Sequence, residues 1–172
     1  MEIPVENIYF LLCYAWDKLD EKDVVSIDAE ENTELCDLFA KVLLNGIRHL
    51  LKRGLDKDYI EREDSISGIK GKLNFSATVK FNLMPQKKTF CHFDEYGFNI
   101  LHNQILKTTF SNLLKTYNLN SDLKEEIYRL QYRLPYIEEV TLSPTVFEKV
   151  RLNRNNYFYD FLLKLCRILY ES

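Results

Sequence analysis

Eight apolar residues between Leu35 and Leu51 set the strongest constraint on what this chain can become. Leu35, Leu38, Phe39, Val42, Leu43, Ile47, Leu50 and Leu51 recur at three- and four-residue steps, the spacing that lines one face of an α-helix. The pattern predicts a helix over Thr33–Arg53. Asn32 or Thr33 can cap its start, and Arg48, Lys52 and Arg53 suit the negative end of its dipole. Gly54 follows and supplies the left-handed residue that stops it. A helix with one apolar stripe must be covered by other elements, and the sequence offers several. Helices are predicted at Asn7–Lys18, Asn99–Tyr117, Ser121–Leu134 (Ser121 capping, Pro135 closing), Ser143 to about Val150, and Asn156–Tyr170.

The middle third reads differently. Asp58–Ile66 suits an extended, partly exposed strand, and the glycines at 68 and 71 break it. Leu73–Leu83 reads as strand or helix, and a helix is favoured by Asn74 at the cap followed by Phe75, Val79 and Leu83, with Pro85 ending the element. Lys87–Glu95 alternates, with Thr89, Cys91 and Phe93 on one face and Lys88, Phe90, His92 and Asp94 on the other. Val24–Ile27 is a further short strand candidate. The expected class is α+β: predominantly helical, with a small central antiparallel strand or hairpin lobe at about 56–96. The 172 residues suit one domain with such a lobe, and 46% hydrophobic content is enough for a real core.

Charge and cysteine usage exclude several function classes. The net charge of -3 gives no general attraction to nucleic acid, so any DNA contact must come from local patches. No apolar run approaches the roughly 20 residues that cross a bilayer, and the N-terminus lacks a signal-peptide pattern. Cys13, Cys36, Cys91 and Cys166 are scattered without zinc or redox spacing, as reduced thiols of a cytoplasmic protein would be.

Chemical motifs are weak. Gly68-x-x-Gly71-Lys72 lacks the spacing and the following hydroxyl of a phosphate-binding loop, so it reads as a turn presenting Lys70 and Lys72. Glu61-Arg62-Glu63 near Asp58 has acids of the kind metal-dependent nucleases use, but places an acid where their lysine belongs. His49, His92 and His102 fall on separate elements, and no nucleophile elbow is present. The residues predict no catalytic group, no metal site and no cofactor. Two basic groups stand out instead. Arg151 and Arg154, with Asn155, precede the last helix and are candidate nucleic-acid contacts. Lys70, Lys72, Lys87 and Lys88 flank the predicted hairpin and together suggest a basic tip, with Arg62 a further partner-binding candidate.

Beyond periodicity, specific segments carry a resemblance. Ile3 to Trp16 closely resembles the opening of McrC-type subunits of the McrBC 5-methylcytosine restriction systems. Similar segments follow in the same order: Leu43–Gly46, Arg53–Tyr59, Ser67–Phe75, Phe93–Glu95, Asn103–Thr109 and Arg154–Tyr159. The resemblance covers essentially the whole chain. It implies the N-terminal, non-catalytic half of such a subunit, which docks onto an McrB-like hexameric AAA+ GTPase, stimulates GTP hydrolysis, and meets DNA through the complex. The family's C-terminal PD-(D/E)xK nuclease domain has no counterpart in these residues, and the last helix ends with its apolar pattern unbroken, as in a truncated chain or the product of a naturally split gene. A metal-dependent nuclease using the acids near Glu61, or a nonspecific DNA-binding adaptor, are the alternative readings.

Overall fold

The computed structural model describes residues 34–134 and 136–171, together with Asn7, Phe10, Leu11 and Tyr14. The predicted strand at Val24–Ile27 and most of the first predicted helix lie outside these residues; the four described positions of that helix are helical and exposed. The chain divides into two compact units, one built from Met1–Asp56 and Leu101–Ser172, the other from Lys57–Ile100. The class is α+β, with helices in the first unit and an antiparallel sheet in the second.

In the helical unit, α1 is Leu35–Arg53, the predicted helix nearly in full. Its capping differs from expectation: Glu34 occupies the N-cap and makes no side-chain bond to the helix. Gly54 ends it at φ +97° and ψ +131°, a positive φ as expected but outside the left-handed helical region. Leu38, Leu43, Leu44 and Ile47 turn fully inward. They meet Ile105 and Phe110 of α3 (Leu101–Lys115), Ile127 of α4 (Ser121–Gln131), and Phe161, Leu162 and Leu165 of α6 (Phe158–Glu171) in one core. Helix α1 packs on α4 and α6, α3 packs on the same two, and the short α5 (Pro144–Glu148) lies on α6. Gly46 lets α1 approach α6 closely, since a Cβ there would come within 2.4 Å of Leu162 Cδ2. One predicted cap is corrected. Asn120, not Ser121, caps α4, because its side-chain oxygen accepts from the Asp122 and Leu123 amides.

The loop between α4 and α5 is held by polar groups of α3 rather than by a strand. Lys107 Nζ donates to the carbonyls of Leu134 (3.0 Å) and Ile137 (2.5 Å). Thr108 Oγ1 accepts from the Val140 amide at 2.9 Å, and Ser111 donates to Glu139. These bonds satisfy backbone groups that would otherwise be stranded beside the core.

Two core groups make the unit sensitive to alkali. Burial pushes the Tyr159 phenol up to about 12, with the Asp56 negative charge adding to the rise and the hydrogen bond from the Asp56 amide opposing it. Burial likewise pushes the Cys166 thiol up to about 12, against a lowering hydrogen bond from Thr109. In the unfolded chain these groups ionise near 10.0 and 9.0. Above those values the unfolded state holds fewer protons than the folded state, so stability falls as pH rises. The stabilisation is complete below pH 9 and drains away as pH climbs towards 12. Urea midpoints measured from pH 8.5 to 11 should therefore fall, and the fall should be shallower in Tyr159→Phe and Cys166→Ala. An equally steep slope in both variants would contradict this assignment.

The strand unit contains β1 (Asp58–Ser67), β2 (Lys72–Leu73), α2 (Phe75–Lys80), a 3₁₀ turn at Met84–Gln86 and β3 (Lys88–Gly97). The sheet order is β1-β3-β2, with both pairings antiparallel and registers running from Asp58↔Gly97 to Ser67↔Lys88 and from Lys72↔His92 to Leu73↔Cys91. Asn74 caps α2 as predicted, accepting from the Ala77 amide at 3.0 Å. Pro85 sits within the 3₁₀ turn that follows.

Candidate partner-docking surface on the strand unit

The expected packing of α2 is inverted. Thr78, not Phe75 or Val79, is its buried residue. The cause is a hydrogen-bond relay: Phe90 N–H donates to Thr78 Oγ1 (2.9 Å), which donates to the Asn74 carbonyl (2.8 Å), while Asn74 N–H donates back to the Phe90 carbonyl (2.8 Å). The threonine hydroxyl thus replaces a missing strand partner for β3. Turning Thr78 inward leaves Phe75 (59% exposed) and Val79 (55%), one helical turn apart, facing outward. Phe81, Met84 and Ile69 are also more than half exposed. Exposed apolar groups of this kind on a 44-residue unit make it a candidate docking surface. Sequence reasoning missed them because a helix this short has too few turns for its pattern to separate inside from outside.

Charge is segregated along the unit. All six of its acids lie within Asp58–Asp64 and Asp94–Glu95, while Lys70, Lys72, Lys80, Lys87 and Lys88 fall between them. The four lysines expected to share a tip do not do so. Lys87 and Lys88 lie at the far end of the long ladder, where Lys88 pairs with Ser67 and Lys87 takes a left-handed turn at φ +55°. Lys72 pairs with His92, four residues down β3, or about 13 Å at strand rise. Lys70 folds onto the sheet, its ammonium 4.3 Å from the Phe93 ring centre. Arg62 is opposite Phe93 on the same face and forms an ion pair with Glu95 at 2.9 Å. Lys70 and Arg62 therefore brace Phe93, whereas Lys72, Lys87 and Lys88 make no ion pair among the described residues.

Glu61 and Glu63 share one face of β1, and Asp58 and Asp64 share the other. Glu63 Oε1 lies 3.2 Å from His92 Nδ1, and among the described residues no cluster of three or more acids, histidines or cysteines could hold a metal. Exposed strand charges of this kind guard a sheet edge.

In the helical unit, Arg151, Arg154 and Asn155 are exposed. Arg154 lines an open cleft of about 640 Å³ with Leu152, Asn153, Tyr157 and Asp160. The neighbouring amides are committed to structure: Asn156 Oδ1 accepts from the Asn153 amide, and Asn153 Oδ1 accepts from the Asn155 and Asn156 amides. Asn156 Nδ2 donates to Asp56 Oδ2 at 2.6 Å, where His102 Nε2 also arrives at 3.0 Å. Asn103 Nδ2 donates to the Asp56 carbonyl (3.0 Å), and Tyr159 donates to Asn103 Oδ1 (2.8 Å) while accepting from the Asp56 amide (3.0 Å). Asp56 is the residue at which the chain leaves the helical unit, and His102 and Asn103 follow its return. This network fixes both crossings within that unit.

Comparison with known proteins gives this arrangement a family. Residues 7–172 match the family model described as McrBC 5-methylcytosine restriction system component. Among curated proteins, the type IV methyl-directed restriction enzyme EcoKMcrBC of Escherichia coli (strain K12) is 34% identical over 170 residues, covering 99% of this chain and 49% of the relative. The chain thus spans about half the length of that relative. Among solved structures, the cryo-EM structure of the Thermococcus gammatolerans McrBC complex contains a chain of the same fold, with TM-score 0.67 and 17% identity over 95% of this chain and 50% of the other. A half-complex from the tetradecameric assembly of Thermococcus gammatolerans McrB AAA+ hexamers with bound McrC gives TM-score 0.68 at 19% identity, over 95% and 40%. With its sequence matched almost end to end, the chain belongs to the McrBC 5-methylcytosine restriction system component family.

Proposed function

We propose that this chain is the partner-docking, non-catalytic half of an McrC-type subunit. It binds an McrB-like hexameric AAA+ GTPase, stimulates GTP hydrolysis, and engages DNA through that complex. The observation that carries this reading is the strand unit: a small, separately compact body with exposed Phe75, Val79, Phe81 and Met84, and with Lys72, Lys87 and Lys88 making no ion pair among the described residues. Apolar anchors supply affinity on desolvation, and the surrounding lysines steer an acidic partner surface into place. The McrB hexamers with bound McrC of the matching assembly supply the partner class. Among the described residues, no helix is long and apolar enough to cross a membrane. Arg151 and Arg154, in the loop before α6, are the residues this reading assigns to phosphate contact within the complex.

The test is binding of the purified chain to its cognate AAA+ protein. Phe75→Asp with Val79→Asp, and separately Lys87→Glu with Lys88→Glu, should each weaken binding by about tenfold or more. Circular dichroism should show both variants folded. Parent-like affinity in both would remove the strand unit from the docking surface.

A further inference from the structure

The face of the sheet that carries Lys72 holds an arrangement that docking alone does not explain. Register places Glu63 of β1, His92 of β3 and Lys72 of β2 in one row, since His92 is the direct partner of both others. Directly opposed residues of an antiparallel ladder share a face, so the three side chains stand side by side. Glu63 accepts from His92 Nδ1 at 3.2 Å. Lys72, at the other end of the row, stands opposite His92 and makes no ion pair among the described residues.

Beside that ammonium lies an open cavity of about 460 Å³ whose walls include Asn74, Phe75 and Ser76 as well as the row itself. Donors outnumber acceptors there. Lys72 and Ser76 offer N–H and O–H groups, and the Asn74 side-chain oxygen is already taken by the Ala77 amide, leaving its NH₂ group to donate. The carboxylate of Glu63 faces His92. Lys72, the one lysine of the lining, makes no ion pair among the described residues, and the half-exposed Phe75 gives the rim an apolar wall.

We propose that this cavity receives an aspartate or glutamate side chain of the docking partner, paired with Lys72. The inference rests on the docking role above and deepens it by naming a contact. A nucleic-acid strand fits less well. The next row on the same face opposes Glu61 to Asp94, so three acids with Glu63 would repel a backbone carrying a charge at every step. A single carboxylate meets Lys72 without crossing them.

A charge swap tests the proposal. Lys72→Glu in the full chain should weaken binding to the cognate AAA+ protein by about tenfold, with Lys72→Gln falling between it and the parent. One Asp→Lys or Glu→Lys change on the partner should restore binding to Lys72→Glu while weakening the parent. Lys72 is exposed at a two-residue edge strand, and unchanged thermal melts would show that the variants fold. If the parent fails to bind the AAA+ protein, the docking role itself fails. If the parent binds and Lys72→Glu binds equally well, or no partner acid restores it, the cavity assignment falls and docking stands. Loss of duplex DNA affinity in Lys72→Glu with partner binding unchanged would assign the cavity to phosphate and overturn the proposal.

Discussion

Asp56→Ala should lose about 2–5 kcal/mol of unfolding free energy, one of the two largest single-site effects expected in this chain. Alanine keeps the main-chain bonds to Asn103 and Tyr159 but removes the oxygen that receives both Asn156 Nδ2 and His102 Nε2. Those residues are only 8% and 7% exposed, so water cannot readily replace the lost acceptor. Each stranded donor costs about 1–3 kcal/mol, far more than the small net worth of an ordinary hydrogen bond. Asp56→Asn serves as the control. Its amide oxygen can occupy the same place and accept both bonds, so it should retain most of the stability. Urea unfolding at neutral pH reads both variants. A loss below about 1 kcal/mol in Asp56→Ala would mean the network does not hold the chain crossings.

Gly71→Ala should damage the strand unit more than any other glycine change there. Gly71 has φ +66°, which costs any other residue about 1–2 kcal/mol, and its Cβ would stand 2.4 Å from the His92 carbonyl oxygen and 2.8 Å from Phe93 Cβ. The carbonyl belongs to the strand that pairs with Lys72, so it cannot withdraw without breaking the β2–β3 ladder. Gly68→Ala provides the comparison, because Gly68 also has positive φ (+94°) but open space around it. Gly68→Ala should cost only the backbone strain. Gly71→Ala should add the clash, for a total above about 3 kcal/mol. Hydrogen exchange would show it as lost protection at Leu73 and Phe93 while amides of α1 and α3 stay protected. Equal effects of the two substitutions would show that the close approach at Gly71 is not restrictive.

Long periodic segments were legible in the sequence, and single groups with competing partners were not. The stripe from Leu35 to Leu51 determined α1 because eight apolar positions over about five turns all agree only if one face is buried, and α3 and α6 follow the same logic. Asn74 declared itself as a cap. The Asn120–Ser121 pair did not, since either side chain could have reached the α4 amides. Helix α2 shows the deeper limit. Phe75 and Val79 look like its core face by hydropathy, yet a tertiary hydrogen bond from Phe90 to Thr78 sets its rotation. The lysines fail as a tip for a related reason. Chain order puts Lys70 and Lys72 beside the turn, but β2 crosses to the far side of β3, which no local pattern reveals.

Three of the segments that carry the family resemblance are structural. Arg53–Tyr59, Asn103–Thr109 and Arg154–Tyr159 supply Asp56, Asn103, Asn156 and Tyr159, and these meet in one buried network. Lys107 and Thr108 of the middle segment hold the loop after α4. Those segments build the helical unit, whereas Ser67–Phe75 carries Lys72 and Phe75 of the proposed docking face.

Under the proposed function this chain switches on a GTP-hydrolysing ring. Steady-state GTP turnover by the cognate McrB-like protein, measured while the purified chain is titrated in without DNA, tests it most directly. Turnover should rise several-fold and saturate at the concentration where binding saturates. Unchanged turnover at a concentration where binding is complete would contradict the account.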